Sequence, residues 1–271
     1  MKFLDTEKHK EQSLLSEQEI IQLMSKHGVY TPELIQSRNK NTYEFVQEGN
    51  KSYYILAFSR VEGSILSNYE DASLIKQWGR TLGHMHEIAK NHANNNSRHF
   101  LEWNHDIDFD RFFEGSGQMI EDKWITFVDR LATIPTSNDV YGVVHHDLHI
   151  RNLLLSKNNM YVLDFGDVRK SRYAYDFSIS IFHALEEYRR KRESTLEFYH
   201  YFISHFLEGY REKSTFSKEQ LKWIPFFLEY RRLYSFLFFR HTLKSAEVHS
   251  TIRNSLDNMR DRIENTIPVI S

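Results

Sequence analysis

A chain of 271 residues is long enough to bury a large core and to form one domain or two lobes. Its formal charge of −2 gives no basic excess that would point to nucleic acid or an anionic membrane. The absence of cysteine excludes disulfides, thiolate catalysis and thiolate metal sites, and no apolar run approaches the roughly 18 residues of a membrane span.

The charged start MKFLDTEKHK lacks the apolar core of a signal peptide, so a cytoplasmic location is expected. Residues 6–27 carry Leu14, Leu15, Ile20, Ile21, Leu23 and Met24 on one face at helical spacing, and Gly28 follows as a terminator. Beyond Thr31 and Pro32, residues 42–47 and 53–58 read as strands around Glu48-Gly49-Asn50, a hairpin signal. Residues 59–63 form a polar linker ending in Gly63.

A helix resumes over 69–91, with Leu74, Ile75, Trp78, Leu82, Met85 and Ile88 at helical spacing. Within it, Gly79 and Gly83 would let another backbone approach closely. His84 and His86 stand two apart and so point to different faces, unlike the i, i+4 pair of a helical zinc site. A metal site at this pair is therefore not expected. Residues 91–98 are polar and asparagine-rich, a surface loop leading into Trp103-Asn104-His105-Asp106, and 119–131 read as a helix ended near Pro135.

The stretch VVHHDLHIRNLLLSKNNMYVLDFGD, residues 143–167, carries the chemistry. Apolar runs at 143–144 and 153–155 bracket a polar loop holding Asp147 and Asn152, and a third run at 161–163 delivers Asp164. The turn formers of 156–159 would fold the last strand back so that Asp164 faces Asn152. Phosphoryl transfer from ATP needs an acid near the attacking hydroxyl and oxygen ligands for Mg²⁺. A carboxylate, an amide five residues on and a second carboxylate across a hairpin supply those parts. His145 is expected to hydrogen-bond backbone near this loop. Further along, Asp176 is a natural N-cap for a helix over 177–189, followed by helices over 193–210, 218–244 and 247–266. The aromatic stripe from Phe226 to Phe239 could cage a quaternary ammonium, but dense aromatics at helical spacing are more often core.

The constellation HxDxxxxN followed by DFG resembles the catalytic core of the protein-kinase-like superfamily. Its HHDLH form is similar to the aminoglycoside phosphotransferase and choline kinase family, whose usual string is HGDLHxxN, so His146 stands where glycine is common. Residues 206–230, with Gly209-Tyr210-Arg211 and Ile224-Pro225, resemble homoserine-kinase-like and hydroxylysine-kinase-like members more loosely. The resemblance implies an α+β, two-lobed protein-kinase-like fold: a truncated N-lobe over residues 1–62 ending in a hinge, and a mostly helical C-lobe over 63–271 holding the catalytic loop and metal-binding hairpin.

It also implies ATP and Mg²⁺ as cofactors, with the γ-phosphoryl group passing to a hydroxyl of a small molecule: an amino alcohol, a hydroxy amino acid or an aminoglycoside-like compound. Asp147 matches the catalytic base and His149 a residue beside the transferred phosphate; Asn152 and Asp164 match the metal ligands, and Asp176 the brace of the catalytic loop. Glu17 falls where a helix glutamate pairs with a strand lysine, Lys2 where that lysine stands, and Ser59 and Val61 where backbone groups hold adenine. The expected partner is thus a small-molecule alcohol, not nucleic acid or a membrane.

Met1-Lys2-Phe3-Leu4 resembles the end of the lysine-bearing strand, and the family's phosphate-covering hairpin would precede it. Two expectations follow: either upstream coding sequence is omitted, or the hairpin is lacking. The second implies weak ATP binding or none, and a nucleotide-binding or scaffold role in place of catalysis. Lys2 at a free end would then be mobile. A metal-hydrolase reading of His146-Asp147 requires the pair to sit on a helix, whereas the flanking runs are strand-like.

Overall fold

The computed structural model describes residues 1–93, 99–105, 113–192, 194–243 and 250–271. The asparagine-rich loop at 94–98, Asp106, Glu193 and the start of the last expected helix at 247 lie outside the described residues.

The first strand, β1 (Lys2–Asp5), turns Leu4 into a small apolar cluster with Leu14 and Leu56 and leaves Phe3 exposed. Helix α1 (Glu11–Lys26) buries Leu14, Ile20, Ile21 and Met24 and closes at Gly28, whose φ of +86° few other residues adopt. It starts later than the apolar pattern suggested because the Asp5 carbonyl accepts the Lys8 and His9 N–H groups in a turn.

Strands β2 (Leu34–Ile35), β3 (Glu44–Glu48) and β4 (Lys51–Phe58) complete an antiparallel sheet centred on β4, which pairs with β1 on one side and with β3 and β2 on the other. Lys2 is not a loose end: it pairs with Leu56 in the register of β1 on β4.

A short strand, β5 (Ser64–Ile65), leads to α2 (Ala72–Ile88), N-capped by Asp71, whose side chain accepts the Ser73 and Leu74 N–H groups. Then come α3 (Gln118–Thr133), β6 (Tyr141–Val144), the hairpin β7 (Leu153–Ser156) and β8 (Asn159–Val162), and β9 (Arg169–Arg172). Lys157 and Asn158 form the hairpin turn with φ of 48° and 69°, the left-handed pair that a two-residue connection demands. β6 pairs with β9, and β7 pairs with both β5 and β8.

The remainder is helical: α4 (Tyr173–Arg189), α5 (Leu196–Arg211), α6 (Lys218–Thr242) and α7 (Ser250–Glu264). β9 hands the chain straight into α4, so Asp176 lies one turn inside that helix and Arg172 occupies the N-cap position expected for it.

Helices α2 and α5 touch backbone to backbone. A Cβ on Gly79 would lie 1.9 Å from the Phe206 carbonyl oxygen, and one on Gly83 2.4 Å from that of Tyr210. The aromatic residues of α6 divide as core and edge: Phe227, Tyr230 and Phe236 are buried, while Phe238 and Phe239 are exposed. The architecture is thus α+β, with a sheet-bearing first part and a mostly helical remainder. Among the described residues, no helix is long and apolar enough to cross a membrane.

Candidate active site

Buried Val143 and Val144 carry the chain into a loop whose backbone is held from α4. The Asp176 carboxylate, fully buried, accepts the His146 N–H at 2.8 Å and the His145 N–H at 3.2 Å. His86 of α2 lies 3.0 Å away through Nε2, and its Nδ1 is 2.8 Å from the Tyr210 hydroxyl. Burial pushes the His86 imidazole below its usual pKa, so the neutral ring donates from Nε2 to the carboxylate and accepts the phenol proton at Nδ1. Three donors offset the cost of a buried carboxylate.

So braced, the loop places His146 at φ +69°, a left-handed conformation that costs a non-glycine residue about 1 kcal/mol. This is the physical reason glycine suits that position. His145 ties the loop to the hairpin: its Nε2 lies 3.0 Å from the Leu163 carbonyl, and its Nδ1 accepts the Asp147 N–H at 3.3 Å.

Asp147 projects from this loop with a donor on each carboxylate oxygen. His149 Nε2 is 3.3 Å from Oδ2, and Arg231 Nη2 of α6 is 2.6 Å from Oδ1. The His149 Nδ1 accepts the Arg151 N–H at 3.1 Å, which leaves the ring's proton on Nε2, facing the carboxylate. Burial pushes the Asp147 pKa up, but the His149 hydrogen bond and the Arg231 charge outweigh it and hold the carboxyl well below its usual range. Asp147 is therefore ionised, as a group that accepts a hydroxyl proton must be.

Asn152 links Asp147 to the hairpin. Its Nδ2 donates to the Asp147 carbonyl at 2.9 Å, and its own carbonyl accepts the Leu163 N–H at 2.9 Å, placing Asp164 beside it as the sequence suggested. With Nδ2 committed, the Asn152 Oδ1 has no protein donor among the described residues. Asp164, half-exposed, receives Lys2 Nζ and the Gly166 N–H on Oδ1 alone. A carboxylate oxygen and an amide oxygen are hard-oxygen donors of the kind Mg²⁺ takes together with phosphate oxygens and water, so Asn152 and Asp164 could hold such an ion.

Asp164 lines a cavity of about 430 Å³ with Lys2, Glu17, Ser59 and Val61 and with apolar Phe58, Leu154 and Leu163. Lys2 Nζ donates to both Glu17 oxygens at 2.9 and 3.1 Å and to Asp164 at 3.0 Å. Burial lowers the ammonium's pKa, but the two carboxylates outweigh it and keep Lys2 charged. A Cβ on Gly166 would sit 2.7 Å from Lys2 Nζ and displace the ammonium. At the far end, the Ser59 N–H and Oγ are engaged with the backbone of Glu33, while the Val61 N–H has no acceptor among the described residues.

The structure thus brings Lys2, Glu17, Ser59, Val61 and Asp164 to one cavity, and Asp147, His149 and Asn152 to the loop beside it. His149 contacts Asp147 directly. Sequence reasoning passed over Arg231 and His183. The available signal was the Arg231-Arg232 pair in the middle of an apolar helix, where a charged side chain stays buried only when it is paired.

Comparison with known proteins places this geometry in context. The family model described as "Phosphotransferase enzyme family" matches residues 2–213. Amicoumacin kinase of Bacillus subtilis (strain 168) is 22% identical over 274 residues, 99% of this chain and 82% of that protein. A solved amicoumacin kinase in complex with AMP-PNP, Ca²⁺ and Ami superposes with a TM-score of 0.89 at 22% identity, covering 99% of this chain and 82% of that one. A microcompartment-associated aminopropanol kinase gives 0.72 at 20% identity, covering 96% and 81%. The fold is the two-lobed protein-kinase-like one that the catalytic motif implied.

Proposed function

Because the chain belongs to the phosphotransferase enzyme family, we propose that it transfers the γ-phosphoryl group of ATP to a hydroxyl of a small molecule. One observation carries the reading: the ionised Asp147 is tied through its backbone carbonyl to Asn152, which holds the backbone just before Asp164, and Asp164 lines a cavity sized for a nucleotide. The Ser59 carbonyl and the Val61 N–H offer an acceptor and a donor to the edge of adenine, with Phe58, Leu154 and Leu163 providing apolar contact. Lys2, oriented by Glu17, presents its ammonium to the phosphates. Residues 1–62 then act as the nucleotide-covering lobe and 63–271 as the lobe that carries the chemistry.

Mg²⁺, held by Asn152 and Asp164, would neutralise phosphate charge as it develops. Asp147 orients the acceptor O–H in line with the γ-phosphorus. As the new O–P bond forms and the bond to the bridging oxygen of ADP breaks, the carboxylate takes the proton. His149, donating to Oδ2, fixes the carboxylate plane during that transfer.

The acceptor we infer is an amino alcohol, a hydroxy amino acid or a larger aminoglycoside-like compound, met in the cytoplasm. The relatives described as amicoumacin kinase and aminopropanol kinase support that range. A direct test is a panel of aminopropanol, homoserine, spectinomycin and amicoumacin with Mg-ATP, scored by ADP release and by mass of the product. An acceptor-dependent gain of about 80 Da, abolished in Asp147→Asn, supports the reading; ADP release independent of every alcohol, or product formed at the parent rate by the variant, overturns it.

A further inference from the structure

Two adjacent arginines of α6 do different work. Arg232 donates to Glu229 on its own helix and to the Ile267 carbonyl, tying down the C-terminal segment. Arg231 turns the other way and spends its guanidinium on the catalytic loop: Nη2 reaches Asp147 Oδ1 at 2.6 Å, and Nη1 reaches the His146 carbonyl at 3.4 Å. It is buried, and its own orientation is fixed. His183 Nε2 lies 3.1 Å from Nη2, and because a guanidinium only donates, this nitrogen accepts. The Tyr234 ring lies under the guanidinium carbon, 5.7 Å from its centroid.

We propose that Arg231 is a positioning residue that acts through Asp147: together with His149 it clamps the carboxylate so that one lone pair faces the acceptor hydroxyl. The geometry is that of a two-sided grip. Oδ1 is held from α6 and Oδ2 from the loop itself, so rotation about the Cβ–Cγ bond breaks both contacts at once. His183, on α4, fixes the orientation of Arg231. The same helix supplies Asp176, which holds the backbone of residues 145 and 146. Backbone and side chain of the base are thus referenced to one helix, α4, directly in the first case and through Arg231 in the second. Arg231 does not line the nucleotide cavity, so its effect on nucleotide affinity is small.

This inference rests on the kinase reading of the site, and four proteins test it: the parent, Arg231→Met, Asp147→Asn and the double variant. Expected is a fall in kcat of about 100-fold in Arg231→Met, the order seen when a catalytic group is misplaced by about 1 Å, with the Mg-ATP dissociation constant within about twofold. In the Asp147→Asn background the same change costs no further activity, because the residue it acts through is already gone. Arg231→Lys, which keeps the charge and loses the planar fork, recovers part of the loss and stays several-fold below the parent.

A parent-like kcat in Arg231→Met, losses that multiply in the double variant, or an ATP affinity that falls with kcat would each overturn the proposal. Should Arg231→Met fail to fold, Arg231→Lys and its Asp147→Asn double carry the same comparison, and parent-like turnover in Arg231→Lys is then the overturning result. If the parent phosphorylates no alcohol, the function reading fails instead. The pairing is then read from melting of the same proteins, where additive losses in the double variant overturn it.

Discussion

Lys2 and Asp164 are 162 positions apart in the chain, and the ammonium of one lies 3.0 Å from the carboxylate of the other. The same Nζ reaches Glu17 at 2.9 Å, so a single cation joins the first strand, the first helix and the segment just after the β7–β8 hairpin. Bound phosphates and a divalent ion would draw on the same charges. The pairing therefore ties β1 and α1 to Asp164 through one ammonium.

Lys2→Met removes that cation and strands a Glu17 carboxylate whose side chain is 3% exposed. Stability is expected to fall by about 2–3 kcal/mol, less than for a fully buried pair because the ammonium is partly solvated. Adding Glu17→Gln to Lys2→Met should recover most of the melting temperature and none of the Mg-ATP affinity. Thermal melting and nucleotide titration on the two variants check both halves.

Asp147→Asn keeps the shape of the site and removes the proton acceptor. Turnover is expected to drop by about 10²–10⁴-fold, with nucleotide affinity unchanged. Steady-state rates beside calorimetric ATP binding separate the two quantities.

Mg-ATP at a hundred times its dissociation constant should stabilise the folded chain by about 2.7 kcal/mol, a rise of roughly 5–10 °C for a protein of this size. Asp164→Asn, which weakens the hard-oxygen pair with Asn152, should lose the part of that rise that depends on the divalent ion. Melting with ATP, with and without excess chelator, resolves it.

Stability should fall as pH drops from about 6.5. Burial lowers the pKa values of His86 and His146, so below the unfolded-state value the unfolded chain binds protons that the folded chain refuses. Buried His183 acts in the same direction, and the loss steepens until the folded-state values are reached. Asp147 and Asp164, whose folded pKa values are depressed, act in a lower window: their contribution is complete above about pH 4 and is lost below it as they protonate. Denaturant melts at half-unit steps from pH 7.5 to about 2 would show the first loss before the second.

Gly79→Ala would place a methyl group 1.9 Å from the Phe206 carbonyl oxygen, forcing α2 away from α5. The expected cost is about 2–3 kcal/mol, at the upper end for overpacking because the obstacle is backbone and not a movable side chain. A denaturation midpoint lowered accordingly, with an unchanged slope, is the signature.

The sequence by itself determined the loop and hairpin of residues 143–167, because the spacing of Asp147, Asn152 and Asp164 and the turn at 156–159 are local properties that the chain cannot satisfy in many ways. It also determined the helix periods and the glycines of α2, since apolar repeats and missing side chains are visible without a partner. It misplaced Asp176 as a helix cap because β9, a run of arginines, lysine and serine, has no apolar alternation: its side chains are buried by ion pairs, cation–π contacts and hydrogen bonds, which need distant partners. Only the tertiary structure decided that Lys2 is fixed on β4, that Asp164 shares the ammonium which the resemblance paired with Glu17, and that Arg231 grips Asp147. Such contacts join residues tens to hundreds of positions apart. Whether a charged side chain ends in water or in a buried pair depends on what the fold brings to it, and no local pattern records that.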